Sequence, residues 1–165
     1  MRTIPFALFL AVFAAAPVYG EGADKSALAI KRGTDGVVTV HPVTPIDTRQ
    51  GLPNFVGISA ATASAKHLSM NIVVIPPGGA AKPHVHKGFE SAVYLIKGKV
   101  ETRYGENLIH SVVNKAGDFL FIPPDVPHQP RNLSDTEPAV AIVTRNDPNE
   151  QESVEHYAPA TTPKK

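Results

Sequence analysis

The chain has 165 residues, no cysteine or tryptophan, and sixteen basic side chains against fifteen acidic ones. A length of this order fits one domain able to bury its own core, and without cysteine no disulfide can support it in any compartment. A charge balance this close to zero lacks the basic footprint that nucleic acid or an anionic membrane surface requires, which excludes both as partners.

The first twenty residues do not read as part of a fold. A positive charge at Arg2 precedes an almost wholly apolar run from Ile4 to Ala16, and small residues follow, with Val18 and Gly20 placed as a signal peptidase requires. This pattern predicts a signal peptide at residues 1–20, since the run is shorter than the roughly 20 residues that span a bilayer. No twin arginine is present, so a Sec-type route is expected, with the mature protein secreted or periplasmic and any metal acquired outside the cytoplasm. Cleavage would remove Arg2 and no acid, leaving a formally neutral chain.

Period-two patterning dominates the remainder of the chain. Strands are predicted at 27–32, 37–43, 55–59 and 67–75, the last ended by Pro76-Pro77-Gly78-Gly79, because proline cannot donate to a ladder. A hairpin is predicted from 92–96 and 100–104 around Lys97-Gly98-Lys99, followed by strands at 108–113, 119–122, around His128, and at 139–144. Roughly ten short antiparallel strands, with turn signals about every eight to twelve residues and no ordinary amphipathic helix, indicate an all-β sandwich or barrel. The domain is assigned to residues 21–150, and 151–165 are read as a C-terminal tail.

Within this pattern lies Gly79-Ala80-Ala81-Lys82-Pro83-His84-Val85-His86, followed by Glu90. Residues two apart on a strand share a face about 6.8 Å apart, so His84 and His86 can reach one point. That point could be a metal ion, a substrate or solvent. A second cluster, from Gly117 to Asn132, carries His128 after a proline-rich turn.

These two stretches resemble the two sequence motifs of the cupin superfamily. The first reads Gly78, His84, His86, Glu90, Gly98; the second reads Gly117, Pro123, Asp125, His128, Asn132. The resemblance implies a single cupin β-barrel, or jelly roll, with a divalent transition metal (Mn, Fe, Cu, Ni or Zn) held by His84, His86, Glu90 and His128. It also implies a homodimer and a small-molecule substrate or ligand. Relatives in the superfamily include dioxygenases, decarboxylases, lyases and isomerases, so an exported metalloenzyme, dioxygenase-like in its oxidoreductase form, is the first functional expectation. A non-catalytic metal- or ligand-binding module is the alternative, and a metal-free epimerase-like barrel is a third.

Two positions depart from the motifs. Seven residues rather than six separate Glu90 from Gly98, which sets Ser91 where the carboxylate usually stands. Either a bulge restores Glu90 to the inside, which is the expectation, or the site is three histidines with Ser91 or water nearby. Asp125 stands where the second motif has glycine, and aspartate tolerates turn conformations. His41, His67 and His156 read as surface residues, as does His110, for which a cavity role as proton shuttle is the lesser reading. Phe89, Phe119 and Phe121 read as core. Asn132-Leu133-Ser134 fits a glycosylation pattern, but Asn132 is read as bonding the turn backbone.

Overall fold

The computed structural model describes residues 28–149, 151 and 153–160; the leader expected at 1–20 lies outside them. Among the described residues the strands are β1 (Leu28–Arg32), β2 (Val38–Pro42), β3 (Asn54–Ile58), β4 (Ser69–Ile75), β5 (His84–His86) and β6 (Ser91–Lys97). They continue with β7 (Lys99–Tyr104), β8 (His110–Lys115), β9 (Phe119–Ile122), β10 (His128–Asn132), β11 (Ala139–Arg145) and β12 (Val154–His156). A single turn of helix, α1 (Ala60–Ala63), follows β3 and is closed by a capping box between Ser59 and Thr62.

All pairings are antiparallel. One five-stranded sheet has the order β12-β5-β10-β7-β8, the other β3-β4-β11-β6-β9, and β1 and β2 form a separate ribbon. This is the all-β jelly-roll barrel that the sequence predicts. Among the described residues twelve strands stand where about ten were expected, because β5 and β12 have three residues each, too few to leave a pattern.

The core lies between the sheets. Leu52, Ile75, Ala81, Leu95, Val100, Ala139 and Ala141 form one buried cluster, with Val73, Val93 and Val143 packed against it. Strand alternation puts them there: Ser91, Val93 and Leu95 face inward from β6, while Ala92, Tyr94 and Ile96 face outward. The same parity corrects one expectation. Phe119 and Phe121 are 80% and 58% exposed, since β9 pairs with β6 so that Leu120 and Ile122 fall opposite Val93 and Ser91 and take the inward positions.

The turns behave as their residues require. Gly98, between β6 and β7, has φ +94°, and a Cβ there would stand 2.8 Å from the Ala139 Cβ and 2.9 Å from its Cα. Ala139 is fully buried, so neither side can yield easily. Gly98→Ala is therefore expected to destabilise the fold by roughly 2–5 kcal/mol, combining backbone strain with overpacking, measurable as a lowered urea midpoint. Asn132 is likewise buried; its Nδ2 donates to the carbonyls of Ile75, Pro76 and Glu137 at 2.8–3.1 Å, and its Oδ1 accepts from Ser134 N. The asparagine thus ties the end of β4 to the turn after β10, as expected of it, and its amide nitrogen is committed to these bonds.

The segment after β11 returns to the barrel. Asp147, itself buried, accepts from Ser153 Oγ at 2.6 Å, and β12 then pairs with β5, setting Val154 opposite His86 and His156 opposite His84. Tyr157 N donates to Pro83 O. These contacts place β5 between two neighbours, and its three residues are all buried.

Candidate metal centre

The two motifs meet through strand pairing. β10 lies beside β5 with His128 directly opposite His84, and His86 follows two residues on, on the same face. Directly opposed residues in an antiparallel pair hold their Cβ atoms about 4.5–5.5 Å apart, so the ladder itself brings the imidazoles together. Ring centroids are 4.3 Å apart for His84 and His128, 5.0 Å for His84 and His86, and 5.3 Å for His86 and His128. One nitrogen from each ring can be chosen so that all lie within 4.8 Å of one another.

Backbone carbonyls set the tautomers of two of them. His84 Nδ1 donates to Lys82 O at 2.7 Å and His128 Nδ1 to Val126 O at 2.9 Å. A carbonyl can only accept, so each Nε2 keeps its lone pair, the state in which histidine ligates metal. His86 is held differently: its Nε2 accepts from Arg145 Nη2 at 3.0 Å, while its Nδ1 is buried with no hydrogen-bond partner.

All three rings are 3–4% exposed, and burial is the main reason they resist protonation. Burial and the neighbouring His128 lower the His84 pKa to about 3. Burial lowers that of His128 to about 4, against the opposing bond to Val126 O. His86 is lowered further, by burial and then by the Arg145 guanidinium. Three imidazoles that stay neutral at physiological pH form a donor set suited to a divalent transition ion.

Glu90 is not brought to this group. It is exposed, and its backbone N–H donates to Asn146 Oδ1 at 2.8 Å. No bulge intervenes at this end of β6, whose pairing with β9 runs in register from Ser91 opposite Ile122 to Tyr94 opposite Phe119. Ser91 therefore takes the inward position, and its Oγ accepts from Arg145 Nε at 3.0 Å. Asp125, in the motif's glycine position, has φ +61°, and its Oδ1 accepts from Gly88 N at 3.3 Å. His110 is exposed and lies against Tyr104, away from the cluster.

Neither sequence motif points to Arg145. It is 5% exposed and ends the inward-facing row Ala139, Ala141, Val143 of β11; a charge closing such an apolar row is the signal that could have found it. The imidazoles, Ser91 and Arg145 line a cavity of about 90 Å³, whose other walls are mainly aliphatic and include Leu95, Val100, Leu120 and Ile122. Space of that order admits several waters or a ligand of a few heavy atoms.

Comparisons with known proteins agree with this geometry. A family model described as a cupin domain matches residues 71–145, the stretch from β4 to Arg145 that holds every residue of the cluster. A germin-like protein (subfamily T member 3) of Arabidopsis thaliana is 34% identical over 101 residues, covering 58% of this chain and 43% of that protein. Among solved structures, oxalate decarboxylase of Lactobacillus farciminis in complex with formate superposes with TM-score 0.58 at 24% identity, over 69% of this chain and 33% of that one. A recombinant oxalate oxidase in complex with glycolate gives TM-score 0.53 at 26% identity, over 62% of this chain and 54% of the oxidase. The chain thus spans less than half the length of the curated relative it matches. With two facing antiparallel sheets, a family match over residues 71–145 and histidines from both motifs converging in the barrel, residues 71–145 of this chain carry a cupin domain.

Proposed function

We propose that this protein is an exported, metal-dependent cupin that transforms a small oxygen-bearing molecule, with His84, His86 and His128 as the metal ligands. The observation that carries this reading is the convergence of three neutral, buried imidazoles beside a cavity. A bound divalent ion would supply Lewis-acid polarisation or dioxygen activation there. The chain's own residues do the rest. Lys82 O and Val126 O orient two rings, the aliphatic walls exclude bulk water, and Arg145 with Ser91 offers hydrogen-bond donors to a polar ligand. The similarity to an oxalate oxidase seen with glycolate supports a small organic acid as the first substrate to try. Export rests on the leader-like residues 1–20, and no helix among the described residues is long and apolar enough to cross a membrane.

The test is reconstitution. Chelator-stripped protein is reloaded separately with Mn, Fe, Cu, Ni and Zn, assayed for metal stoichiometry, and then screened with small hydroxy, keto and dicarboxylic acids, with oxygen uptake and product both measured. One ion per chain with metal-dependent turnover is expected; a stoichiometric ion without turnover would leave only the binding-module function, and failure to retain any ion would sink the metal reading. Glu90→Ala should retain metal within about twofold of wild type, since an exposed carboxylate contributes little. A large loss of metal in that variant would restore the four-ligand site.

A homodimer is part of the proposal. Tyr94 and Phe119 pack as a tilted ring pair with centroids 4.7 Å apart on the outer face of β6 and β9, and Met70, Ile72, Ile96 and Phe121 are exposed as well. Contiguous apolar surface of this kind marks association sites. Light scattering should give a dimer for the wild type and a monomer for the double substitution Phe119→Glu, Phe121→Glu; a wild-type monomer at micromolar concentration would contradict it.

A further inference from the structure

Two carboxamides in the wall of the barrel cavity carry oxygens without a partner. Gln50 comes from the loop before β3 and is 7% exposed; Asn114 comes from β8 and is half-buried. Both line the cavity that the imidazoles line, yet Gln50 Oε1 and Asn114 Oδ1 are buried and accept no hydrogen bond from any described residue. Other amides of the barrel are committed. Asn132 Nδ2 donates to three carbonyls, Gln129 Nε2 donates to Ala81 O at 2.9 Å, and Asn71 Oδ1 accepts from Gly57 N at 3.1 Å. The main chain of Gln50 is committed too: its carbonyl accepts from Lys82 N at 2.8 Å. The residue is thus fixed in the cavity wall by a bond that does not use its side chain. A buried carbonyl oxygen with no donor costs free energy that an apolar side chain of the same size would not.

Strand register sets Asn114 apart from the histidines. His128 lies opposite Tyr104 of β7, and Asn114 lies opposite Val100, four residues along the same strand. At about 3.3 Å per residue the two backbone positions are offset by roughly 13 Å along the strands. The chemistry of the missing partner follows from the acceptor. An amide oxygen can only accept, so a carboxylate would set acceptor against acceptor. A cation would add a second positive charge to a cavity already lined by Arg145. A hydroxyl is neutral, and it donates and accepts at one atom, so it completes a carboxamide whichever way round the amide stands.

We infer that Gln50 and Asn114 form a hydroxyl-recognition subsite, and that the cavity takes a small neutral molecule bearing several hydroxyl groups, such as a short polyol. Gln50 and Asn114 are then specificity-determining residues, and their unpartnered oxygens are held at a cost to the ligand-free fold. As a statement about substrate class this rests on the metal-dependent reading above; as a statement about binding it does not require the ion.

The experiment is a titration of isotope-labelled protein, chelator-stripped and zinc-loaded in turn, with erythritol, n-butanol or succinate at millimolar concentration. The side-chain amide resonances are followed by NMR. Erythritol should shift the Gln50 and Asn114 amide resonances saturably. n-Butanol and succinate should bind about tenfold more weakly or worse, the factor that one or two neutral hydrogen bonds supply. Gln50→Met keeps the length of the side chain and removes the amide. It should weaken erythritol binding by about tenfold and, without ligand, raise the urea midpoint, because an unpartnered buried oxygen is gone. Asn114→Leu should move both readings the same way, and it serves if Gln50→Met does not fold. No saturable shift with erythritol, or n-butanol or succinate bound as tightly, would overturn the inference. So would a lowered urea midpoint in both variants with erythritol affinity unchanged, the result expected if ordered water alone completes the amides. Those failures with zinc bound at one ion per chain would leave the metal reading standing. Erythritol bound by protein that retains no zinc would sink the metal reading and keep the subsite.

Discussion

His128→Ala is expected to abolish stoichiometric metal retention and, with it, every metal-dependent activity of the protein. On the proposed reading His128 would supply the ligand from the second motif, and its pairing opposite His84 makes it the residue through which β10 would contribute to the site. Removing a residue that only orients a ligand typically costs 10–100-fold in metal affinity, so loss of a ligand itself should exceed about 100-fold. Two measurements read this: elemental analysis after dialysis against a weak chelator, and the rise in melting temperature that saturating metal is expected to give the wild type by mass action. Both should vanish in His128→Ala. His156→Ala is the matched control. It too lies opposite His84, from β12, yet its side chain is exposed and outside the cluster, so it should retain metal within about twofold.

The metal-free protein is expected to lose stability steeply as pH falls from about 6.5 toward 4. In the unfolded chain the histidines titrate near 6.5, whereas burial lowers His84 to about 3 and His128 to about 4, with His86 lower still. Between those values the unfolded state binds more protons than the folded one, so unfolding free energy rises with pH across the window and is flat with respect to these groups above it. At about 1.4 kcal/mol per unit, the His128 shift alone is worth on the order of 3 kcal/mol. Three such groups together rival the whole stability of a small domain, about 5–15 kcal/mol. Urea titrations of stripped protein at pH 7.5, 5.5 and 4.5 should therefore give sharply falling midpoints, and metal affinity should fall over the same range because the ligands must be unprotonated. Constant midpoints down to pH 4.5 would mean that the imidazoles are hydrated or already charged in the folded state.

Much of this is legible in the residues alone. Short β-rich runs bounded by glycine and proline carry the barrel, since strand parity and turn chemistry are local properties. His84, His86 and His128 can be named because the two glycine-punctuated blocks that carry them resemble the cupin motifs, which imply these positions as ligands. What escapes depends on register. The one-residue displacement of Glu90 reads equally as a bulge or as a lost ligand, and only the unbroken pairing of Ser91 with Ile122 decides that the serine faces inward. Phe119 and Phe121 look like core by hydrophobicity; the smaller Leu120 and Ile122 hold that place because β6 fixes the parity of β9. Arg145 escapes for a related reason. A charged residue at the end of an apolar strand normally marks where the strand leaves the interior, and nothing local indicates that its guanidinium turns back toward a histidine fifty-nine positions earlier.

The central claim is that His84, His86 and His128 bind one ion together. Diffraction from crystals grown with cobalt or zinc, collected on either side of the metal's absorption edge, tests it without reference to any substrate. One strong anomalous peak per chain is expected inside the barrel, about 2.1 Å from a ring nitrogen of each of the three histidines. A peak bound elsewhere, or none within reach of all three rings, would contradict it.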